Sequence, residues 1–231
     1  MTIARRSILK VAAIAAVATV IDLNDLSAQA VNQTDIQHGP RSTANVALTF
    51  HGAGAPDYAS QLFKIFAATK TPVTIFAVGT WLKSDSRIGQ RIIDAGHDLG
   101  NHTMTHTQMK TISTKRVKSE IEQCAAELTK QIGNHGSFFR PSGTQFSTPT
   151  IRAAARAAGY GQCISYEVDS HDFQDPSLKT MLHNVMSTVQ NGSIISLHLG
   201  HKVTLAAMPK LLESLHARGL TPVTVSKLLV A

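Results

Sequence analysis

The sequence predicts an α/β fold built on parallel strands. Short apolar, β-prone runs alternate with helix-like patterns about seven times along the 231 residues. Such alternation is typical of parallel strands joined by helical crossovers, either as a barrel or as a doubly wound sheet. In addition, polar side chains follow the ends of most of these runs, as they do around the active sites of α/β enzymes.

The predicted strands are short, and the first of them ends at a histidine. Residues 45–50 precede His51, and the third strand leads into His102 and His106. The predicted strands are 45–50, 72–78, 98–101, 137–140, 162–168, 193–197 and 221–225.

The helices between the strands are recognised from apolar residues at three- and four-residue spacing and from their caps. In the longest one, Val117, Ile121 and Cys124 share a stripe, and Gly133 is a typical residue to end the helix. The predicted helices are 57–69, 84–95, 113–132, 148–158, 178–189 and 205–218.

The first thirty residues are typical of an export signal. Arg5 and Arg6 precede the short apolar run 11–21, and Ala28-Gln29-Ala30 supplies small residues at a cleavage spacing. The arginine pair resembles a twin-arginine signal. The apolar run is too short to span a bilayer comfortably, so we expect no stable membrane span after cleavage; an uncleaved anchor is the alternative. The predicted organisation is a signal peptide at 1–30, a polar linker at 31–43 and a catalytic domain at 44–231.

Composition argues against nucleic acid as the partner. The net charge is +7, but the basic residues are scattered and aromatic residues make up only 5% of the chain. A platform for stacking bases is therefore not expected, and the positive charge fits an anionic surface or polymer instead.

The chain has two cysteines, Cys124 and Cys163. An even count in an exported protein predicts one disulfide between them. Because Cys124 lies in a helical pattern and Cys163 in a strand pattern, two buried thiols are the alternative.

The most informative stretch is 96–106, Gly-His-Asp-Leu-Gly-Asn-His-Thr-Met-Thr-His. His102 and His106 are four residues apart, which on a helical turn puts two imidazoles on one face. Two neutral imidazoles are half of a site for a borderline metal such as zinc. The alternative is a pair of surface histidines.

Residues of catalytic type follow the predicted strands at their carboxyl ends. In a barrel these ends meet at one rim, where active sites form, so the pattern predicts an enzyme. The chain contains neither the G-x-S-x-G turn of a serine hydrolase nor a phosphate-binding loop. The residues that share the rim are His51, His102, His106, Arg140, Asp169, Asp172 and His198.

Five segments together resemble the polysaccharide deacetylases of carbohydrate esterase family four, the NodB-like proteins, over residues 45–225. They are Leu48-Thr49-Phe50, the stretch 96–106, Phe139-Arg140-Pro141, Asp169-Ser170-His171-Asp172-Phe173 and Ile195-Ser196-Leu197-His198. The resemblance implies a distorted (β/α) barrel of about seven parallel strands. It also implies hydrolysis of N- or O-acetyl groups on sugar polymers with a divalent metal.

Carried onto this chain, the resemblance assigns roles to individual residues. His102 and His106 match the metal ligands, and His198 matches the histidine that protonates the leaving group. Arg140 matches the arginine that orients the catalytic base, and Asp172 matches the aspartate that sets the charge of the proton-donating histidine.

The first motif departs from the family. The family has Thr-Phe-Asp-Asp-Gly, with a base and a metal ligand as its two carboxylates, whereas this chain has Thr49-Phe50-His51-Gly52. His51 therefore admits three hypotheses. It is a third metal ligand, it occupies the position of the base beside Arg140, or it belongs to a structural loop of a protein that binds glycan without turnover.

The sequence thus predicts an exported deacetylase, periplasmic or extracellular, that removes acetyl groups from amino sugars. We expect zinc as the cofactor, with cobalt or another divalent metal as alternatives, and a monomer that binds peptidoglycan, a chitin-like or another acetylated polysaccharide. Asp169 and Pro141 are expected to contribute to substrate binding. An inactive carbohydrate-binding relative is the alternative function, because both motif-one carboxylates are replaced.

Overall fold

The structure is a computed structural model that describes residues 35–54 and 56–230. Its six ladder strands are β1 (Asn45–Gly52), β2 (Thr74–Ala77), β3 (Asp98–Asn101), β4 (Val168–Asp169), β5 (Ile194–His198) and β6 (Thr221–Val223). They form one parallel sheet in the order β3-β2-β1-β5-β4. β6 pairs with the first residues of β1. It lies on the edge of β1 that does not face β5, and β2 pairs with the later residues of β1.

Helices connect and cover the strands. The longest, α4, begins after Ser113, whose hydroxyl accepts a hydrogen bond from the amide of Arg116, and ends at Gly133 in the left-handed conformation. The helices are α1 (Pro56–Thr69), α2 (Gly79–Ser84), α3 (Ile88–Asp94), α4 (Thr114–Ile132), α5 (Pro149–Ala157), α6 (Leu178–Met186), α7 (Lys202–Ala217) and α8 (Val225–Leu229).

The first strand forms the centre of the core. Val46, Ala47, Leu48 and Phe50 of β1 have no exposed surface. A run that is apolar on both faces is typical of a parallel strand covered on both sides, since the crossover helices bury each face of the sheet. The predicted α/β class with a parallel sheet is therefore confirmed.

Two predicted strands are mostly irregular in the structure. Of residues 137–140 only Phe139 forms bridges, to Asn101 and to Cys163, and these continue the wall beyond β3. The segment 162–168 becomes a ladder strand only at its end, as β4. Arg140 accounts for this irregularity. Its guanidinium donates hydrogen bonds to the carbonyl oxygens of Ile164 and Ser165, which in a ladder would accept from a neighbouring strand.

Two helices were not expected from the sequence. α2 follows β2 directly and lacks a side-chain cap, so it carries no start signal. α8 replaces the end of the predicted strand 221–225, because the hydroxyl of Thr224 accepts a hydrogen bond from the amide of Lys227 and starts a helix there.

The predicted signal peptide lies outside the described residues. The described part of the predicted linker is attached to the sheet: Ile36 bridges to Ile164, and the Gly39 amide donates to the Gly192 carbonyl at 2.8 Å. In residues 35–54 and 56–230, no helix combines the length and apolar character needed to cross a bilayer.

The predicted disulfide is wrong, since Cys124 and Cys163 are both free, buried thiols. Cys124 belongs to the main apolar cluster of the core, and its thiol donates to the Ala77 carbonyl of β2 at 3.4 Å. Cys163 packs in a separate cluster with Phe139 and Ile151. The two cysteines serve different parts of the core as small apolar residues.

Candidate metal centre and active site

Two strand ends and one loop bring histidines together at the carboxyl edge of the sheet. The parallel register of β1 and β5 sets His51 directly beside His198. His102 follows the last residue of β3. The ring centroid of His51 lies 4.3 Å from that of His102 and 4.3 Å from that of His198.

The imidazoles of His51, His102 and His106 form a compact group. The ligand nitrogens of His51, His102 and His106 lie within 4.8 Å of one another. His102 is fully buried, and its Nδ1 donates a hydrogen bond to the Arg140 carbonyl at 2.8 Å. That contact places the ring proton on Nδ1 and leaves a lone pair on Nε2.

The Nε2 atom of His102 is buried, and it has no hydrogen-bond partner among residues 35–54 and 56–230. A buried polar atom without a partner costs about 1–3 kcal/mol, so its retention needs a reason. Because the orphaned atom carries a free lone pair and lies beside two other imidazoles, a bound metal ion is the reason that fits the chemistry.

His102 and His106 approach each other in a loop, so the helical turn considered from their spacing is wrong. Thr103 has φ 71° and His106 has φ 55°, both in the left-handed region. The rings of His102 and His106 still lie 5.0 Å apart between centroids. The side chain of Asn101 helps to hold the turn, because its Oδ1 accepts from the Thr103 amide at 2.8 Å.

A buried carboxylate of α4 holds the same loop from behind. Glu120 accepts hydrogen bonds from the amide and the hydroxyl of Thr105, both at 2.8 Å. Its side chain is 2% exposed and forms an ion pair with Arg116 at 2.6 Å. Glu120 therefore fixes the residue next to His106.

The guanidinium of Arg140 is buried in the interior of the protein. It donates to the Thr49 hydroxyl at 2.8 Å and to two backbone carbonyls, and it stacks on Phe76 at 4.1 Å from the ring centroid. Burial lowers the pKa of Arg140 to about 9. The side chain is held rigidly although none of these partners is a carboxylate.

His51 contacts this arginine. Arg140 Nη1 lies 3.3 Å from His51 Nε2. Since a guanidinium donates only, this contact needs an unprotonated Nε2 on His51 and places the ring proton on Nδ1. The same lone pair cannot serve Arg140 and a metal ion together, so metal binding through Nε2 would replace the Arg140 contact.

His198 is paired with a buried aspartate. Its Nδ1 donates to Asp172 Oδ1 at 2.7 Å, and its amide donates to Asp172 Oδ2 at 2.8 Å. The Thr204 hydroxyl donates to the same carboxylate at 2.5 Å. Burial raises the pKa of Asp172, but the hydrogen bonds outweigh burial and hold it below its usual value. Asp172 thus orients the ring and leaves His198 Nε2 for proton exchange.

The histidines of the group are held neutral. Burial lowers the pKa of His51 and of His102 well below 6.5, and neighbouring imidazoles add to the effect. Burial also lowers the pKa of His106, with His198 contributing. Neutral imidazole is the form that binds metal, so the electrostatics match the orphaned nitrogen.

The donor set fits a borderline metal. Three imidazoles from His51, His102 and His106 resemble the three-histidine sites that hold zinc with one open position. A carboxylate at position 52 would be crowded: a Cβ on Gly52 would lie 3.0 Å from both the Ala77 Cα and an Ile75 methyl carbon, so these neighbours would have to shift by a few tenths of an ångström. Asp57 lies on α1 and is exposed.

The two residues expected to bind substrate lie in different surroundings. Asp169 is partly exposed, and its carboxylate accepts from the His171 amide at 2.9 Å. Pro141 is buried directly after Arg140. A substrate role for Asp169 and Pro141 stays a prediction.

Three residues near the site were not singled out from the sequence. Thr204 and Glu120 come from helices distant in sequence from the groups that they bind, so no local pattern identifies them. Phe173 directly follows Asp172; its ring is exposed and lies 5.6 Å from that of His198. Its place at the end of the segment 169–173, which carries part of the family resemblance, is the sequence signal that could have found it.

The comparison with protein families agrees with this site. The family model of the polysaccharide deacetylases matches residues 38–163, more than half of the chain. The chain therefore belongs to the polysaccharide deacetylase family.

Curated relatives are similar along most of their length. A peptidoglycan-N-acetylglucosamine deacetylase from Bacillus cereus is 27% identical over 194 residues, covering 82% of this chain and 90% of the relative. A chitooligosaccharide deacetylase from Rhizobium leguminosarum is 27% identical over 204 residues, covering 79% of this chain and 88% of the relative.

Solved structures share the fold. A CE4 family pseudoenzyme from Bacillus anthracis superposes with a TM-score of 0.77 at 24% identity, covering 84% of this chain and 68% of that one. A peptidoglycan N-acetylglucosamine deacetylase gives a TM-score of 0.78 at 22% identity, covering 85% of this chain and 92% of that one. The predicted NodB-like architecture is thereby confirmed, although the described sheet is not closed by a continuous ladder.

Proposed function

We propose that the protein is a metal-dependent deacetylase that removes acetyl groups from the amino sugars of a glycan. The observation that carries the proposal is the buried Nε2 of His102, which has no hydrogen-bond partner in the described part of the chain and lies within a group of three neutral imidazoles. A sugar-binding surface alone would not need a buried lone pair of this kind.

His51, His102 and His106 would hold the metal. A divalent ion bound there supplies a Lewis acid for the acetyl carbonyl and lowers the pKa of water. Zinc fits the imidazole donors, and cobalt is the alternative. The neutral rings keep their lone pairs without competition from protons near neutral pH.

The remaining groups position and transfer protons. His198, oriented by Asp172, donates a proton to the leaving amine, which would otherwise depart as a poor leaving group. Arg140 orients the His102 ring, because its backbone carbonyl accepts the hydrogen bond from Nδ1 of that ring. The exposed ring of Phe173 beside His198 offers an apolar face to a sugar.

The substrate class follows from the relatives and from the charge of the chain. The similar deacetylases are named for peptidoglycan N-acetylglucosamine and for chitooligosaccharides. A net charge of +7 favours an anionic glycan over a neutral one. We place the protein outside the cytoplasm, in the periplasm or beyond, on the export signal expected at residues 1–30.

A catalytically inactive glycan-binding protein is the second candidate. It is favoured by the absence of any carboxylate at positions 51 and 52 and by the contact that Arg140 makes with His51. If Nε2 of His51 stays with Arg140, only two imidazoles remain for a metal. The two candidates therefore differ in whether His51 binds metal.

Metal analysis tests the site directly. The purified full chain is titrated with zinc and with cobalt, together with the His51→Ala and His102→Ala variants and an exposed-histidine control, His183→Ala. We expect one equivalent in the wild type and the control, none in His102→Ala, and at least about tenfold weaker binding in His51→Ala. Full affinity in His51→Ala would remove His51 from the ligand set.

Acetate release separates the two functions. Acetylated chitooligosaccharides and peptidoglycan fragments are incubated with zinc- or cobalt-loaded protein, and acetate and glycan binding are measured separately. The enzyme proposal predicts acetate release that falls by about 10²–10⁴-fold in His198→Ala while glycan binding is kept. Binding without acetate release in the metal-loaded wild type would establish the second candidate.

A further inference from the structure

A cavity of about 980 Å³ lies between the covering helices, and its lining includes none of His51, His102, His106 and His198. Its wall includes α1, α2, α3 and the segments that enter β2 and β3, so it lies toward the amino ends of these strands. α1 packs mainly against α7, whereas α2 and α3 pack against α4. The covering layer of helices is therefore open between α1 and α3.

The inner wall of this cavity is apolar. Phe63 and Phe66 come from α1, Trp81 from α2, and Ile88 and Ile92 from α3. Phe66 and Ile92 are buried in the core, while Phe63, Trp81 and Ile88 keep part of their surface exposed. A concave apolar volume of up to about 1,000 Å³ with a few polar groups is typical of a small-molecule site.

The rim carries unpaired positive charge. Lys64 and Lys70 line the opening, and no carboxylate of the described chain lies within ion-pair distance of either. The rim's other charges cancel, because Arg91 forms an ion pair with Asp85. An anionic group at this opening would therefore meet two lysines without a competing acid.

His97 places a hydrogen-bond donor in the wall. The Nδ1 atom of His97 accepts from the Val73 amide at 3.3 Å, which puts the ring proton on Nε2. No hydrogen bond involving that Nε2 is formed within the described residues. The His97 ring packs on Phe63, with the ring centroids 6.2 Å apart, so this part of the wall combines an apolar surface with a hydrogen-bond donor.

We infer that this cavity binds an amphiphile with a hydrocarbon body and a single anionic head, as in a long-chain carboxylate. The hydrocarbon lies against Phe63, Trp81 and Ile88, and the head meets Lys64 and Lys70. A second copy of this chain fits less well, because its identical rim would set lysines against lysines. The inference is independent of the proposed deacetylase activity.

Binding is tested on the purified full chain with dodecanoate below its micellar concentration, by calorimetry. Dodecanol and dodecyltrimethylammonium serve as neutral and cationic probes of equal chain length. We expect saturable binding of one dodecanoate per chain, and affinities for the two other probes that are at least about tenfold weaker.

Variants assign the binding to this cavity. Ser60→Trp places a large ring at the lining from the exposed face of α1, and Lys64→Glu with Lys70→Glu reverses the rim charge. Lys130→Glu with Lys179→Glu makes the same charge change at exposed lysines elsewhere. We expect loss of binding in the first variant, at least about a tenfold weakening in the second, and wild-type affinity in the third.

His102→Ala should bind dodecanoate with wild-type affinity, so failure of the proposed metal site leaves this result unaffected. Circular dichroism establishes that each variant is folded. Equal affinity for the three head groups, binding retained in folded Ser60→Trp, or a dimer that forms through this face would each overturn the inference.

Discussion

Arg140 keeps a permanent charge in the interior of the barrel, and its partners offset the cost of burial. Three oxygen acceptors and the faces of Phe76 and Tyr166 surround the guanidinium. Removing water from a charge is expensive unless hydrogen bonds replace it. A neutral imidazole, His51, occupies the remaining side, where the resemblance to family four places a carboxylate base.

Gly52 sets a limit on restoring the first motif. A Cβ there would lie 3.0 Å from the Ala77 Cα, so the neighbouring strand has to move to accept any side chain. We expect Gly52→Asp to lower the free energy of unfolding by about 1–3 kcal/mol through overpacking. Urea unfolding measures the loss.

Gly161 is the matched control, because a Cβ there meets no atom within 4 Å. Gly161→Asp should change the unfolding free energy much less than Gly52→Asp. Equal losses in the two variants would show that the crowding at Gly52 is not the cause.

His97 predicts a pH dependence of stability. Burial lowers its folded pKa below the usual 6.5. The His97 side chain therefore binds its proton more tightly in the unfolded chain than in the folded protein. As a result, the free energy of unfolding includes the full contribution of neutral His97 above pH 6.5, and this contribution is lost as the pH falls through 6.5 toward the folded pKa. His97→Asn keeps an acceptor for the Val73 amide but does not titrate.

The measurement is the difference in unfolding free energy between the wild type and His97→Asn from pH 8 to pH 5, with metal chelated in both. Because the other histidines are common to both proteins, their contribution cancels. The advantage of the wild type should be constant at high pH and shrink below 6.5. A difference that is flat over this range would contradict the prediction.

At the level of elements, α4 supports the metal-site loop, and Glu120 makes its direct contacts to Thr105. Glu120 binds Thr105 twice and so holds the loop between His102 and His106. Glu120→Gln keeps the shape but sets an amide group against one of the two Thr105 donors. We expect zinc affinity to fall about 10–100-fold, as for other groups that orient metal ligands.

Competition with a chromogenic chelator measures that affinity. Glu122→Gln is the control, since Glu122 lies two residues away on the exposed surface and pairs only with Lys118 in the described chain. Wild-type affinity in Glu120→Gln would mean that the loop keeps its shape without the carboxylate.

The elements that follow from local patterns were predictable from the sequence. β1, β3 and α4 lie within two residues of their expected ends, because apolar periodicity and caps are local signals. The irregular wall at 137–140 and 162–168 was not predictable, since it depends on the Arg140 side chain taking the Ile164 and Ser165 carbonyls. The proximity of His51 and His198 was predictable, because the carboxyl ends of parallel strands meet at one edge of the sheet. The support that Glu120 gives to Thr105 and Thr204 gives to Asp172 was not, because it depends on tertiary contacts.

For the whole molecule, the two free cysteines predict how the thiols react and how the melting temperature responds to a reductant. Burial raises the pKa of Cys124 to about 12 and that of Cys163 to about 11, so neither is a reactive thiolate near neutral pH. We expect no reaction of the native protein with Ellman's reagent, reaction of both thiols in denaturant, and the same melting temperature with and without dithiothreitol. A lower melting temperature in dithiothreitol would indicate a bond between them.

The free thiols also bear on biogenesis. Because the core contains no disulfide between Cys124 and Cys163, folding does not require an oxidising compartment. The polypeptide can therefore reach its native state where glutathione keeps cysteines reduced. Folding and any later translocation are then separable steps, and recombinant production in an ordinary bacterial cytosol requires neither an isomerase nor an oxidant.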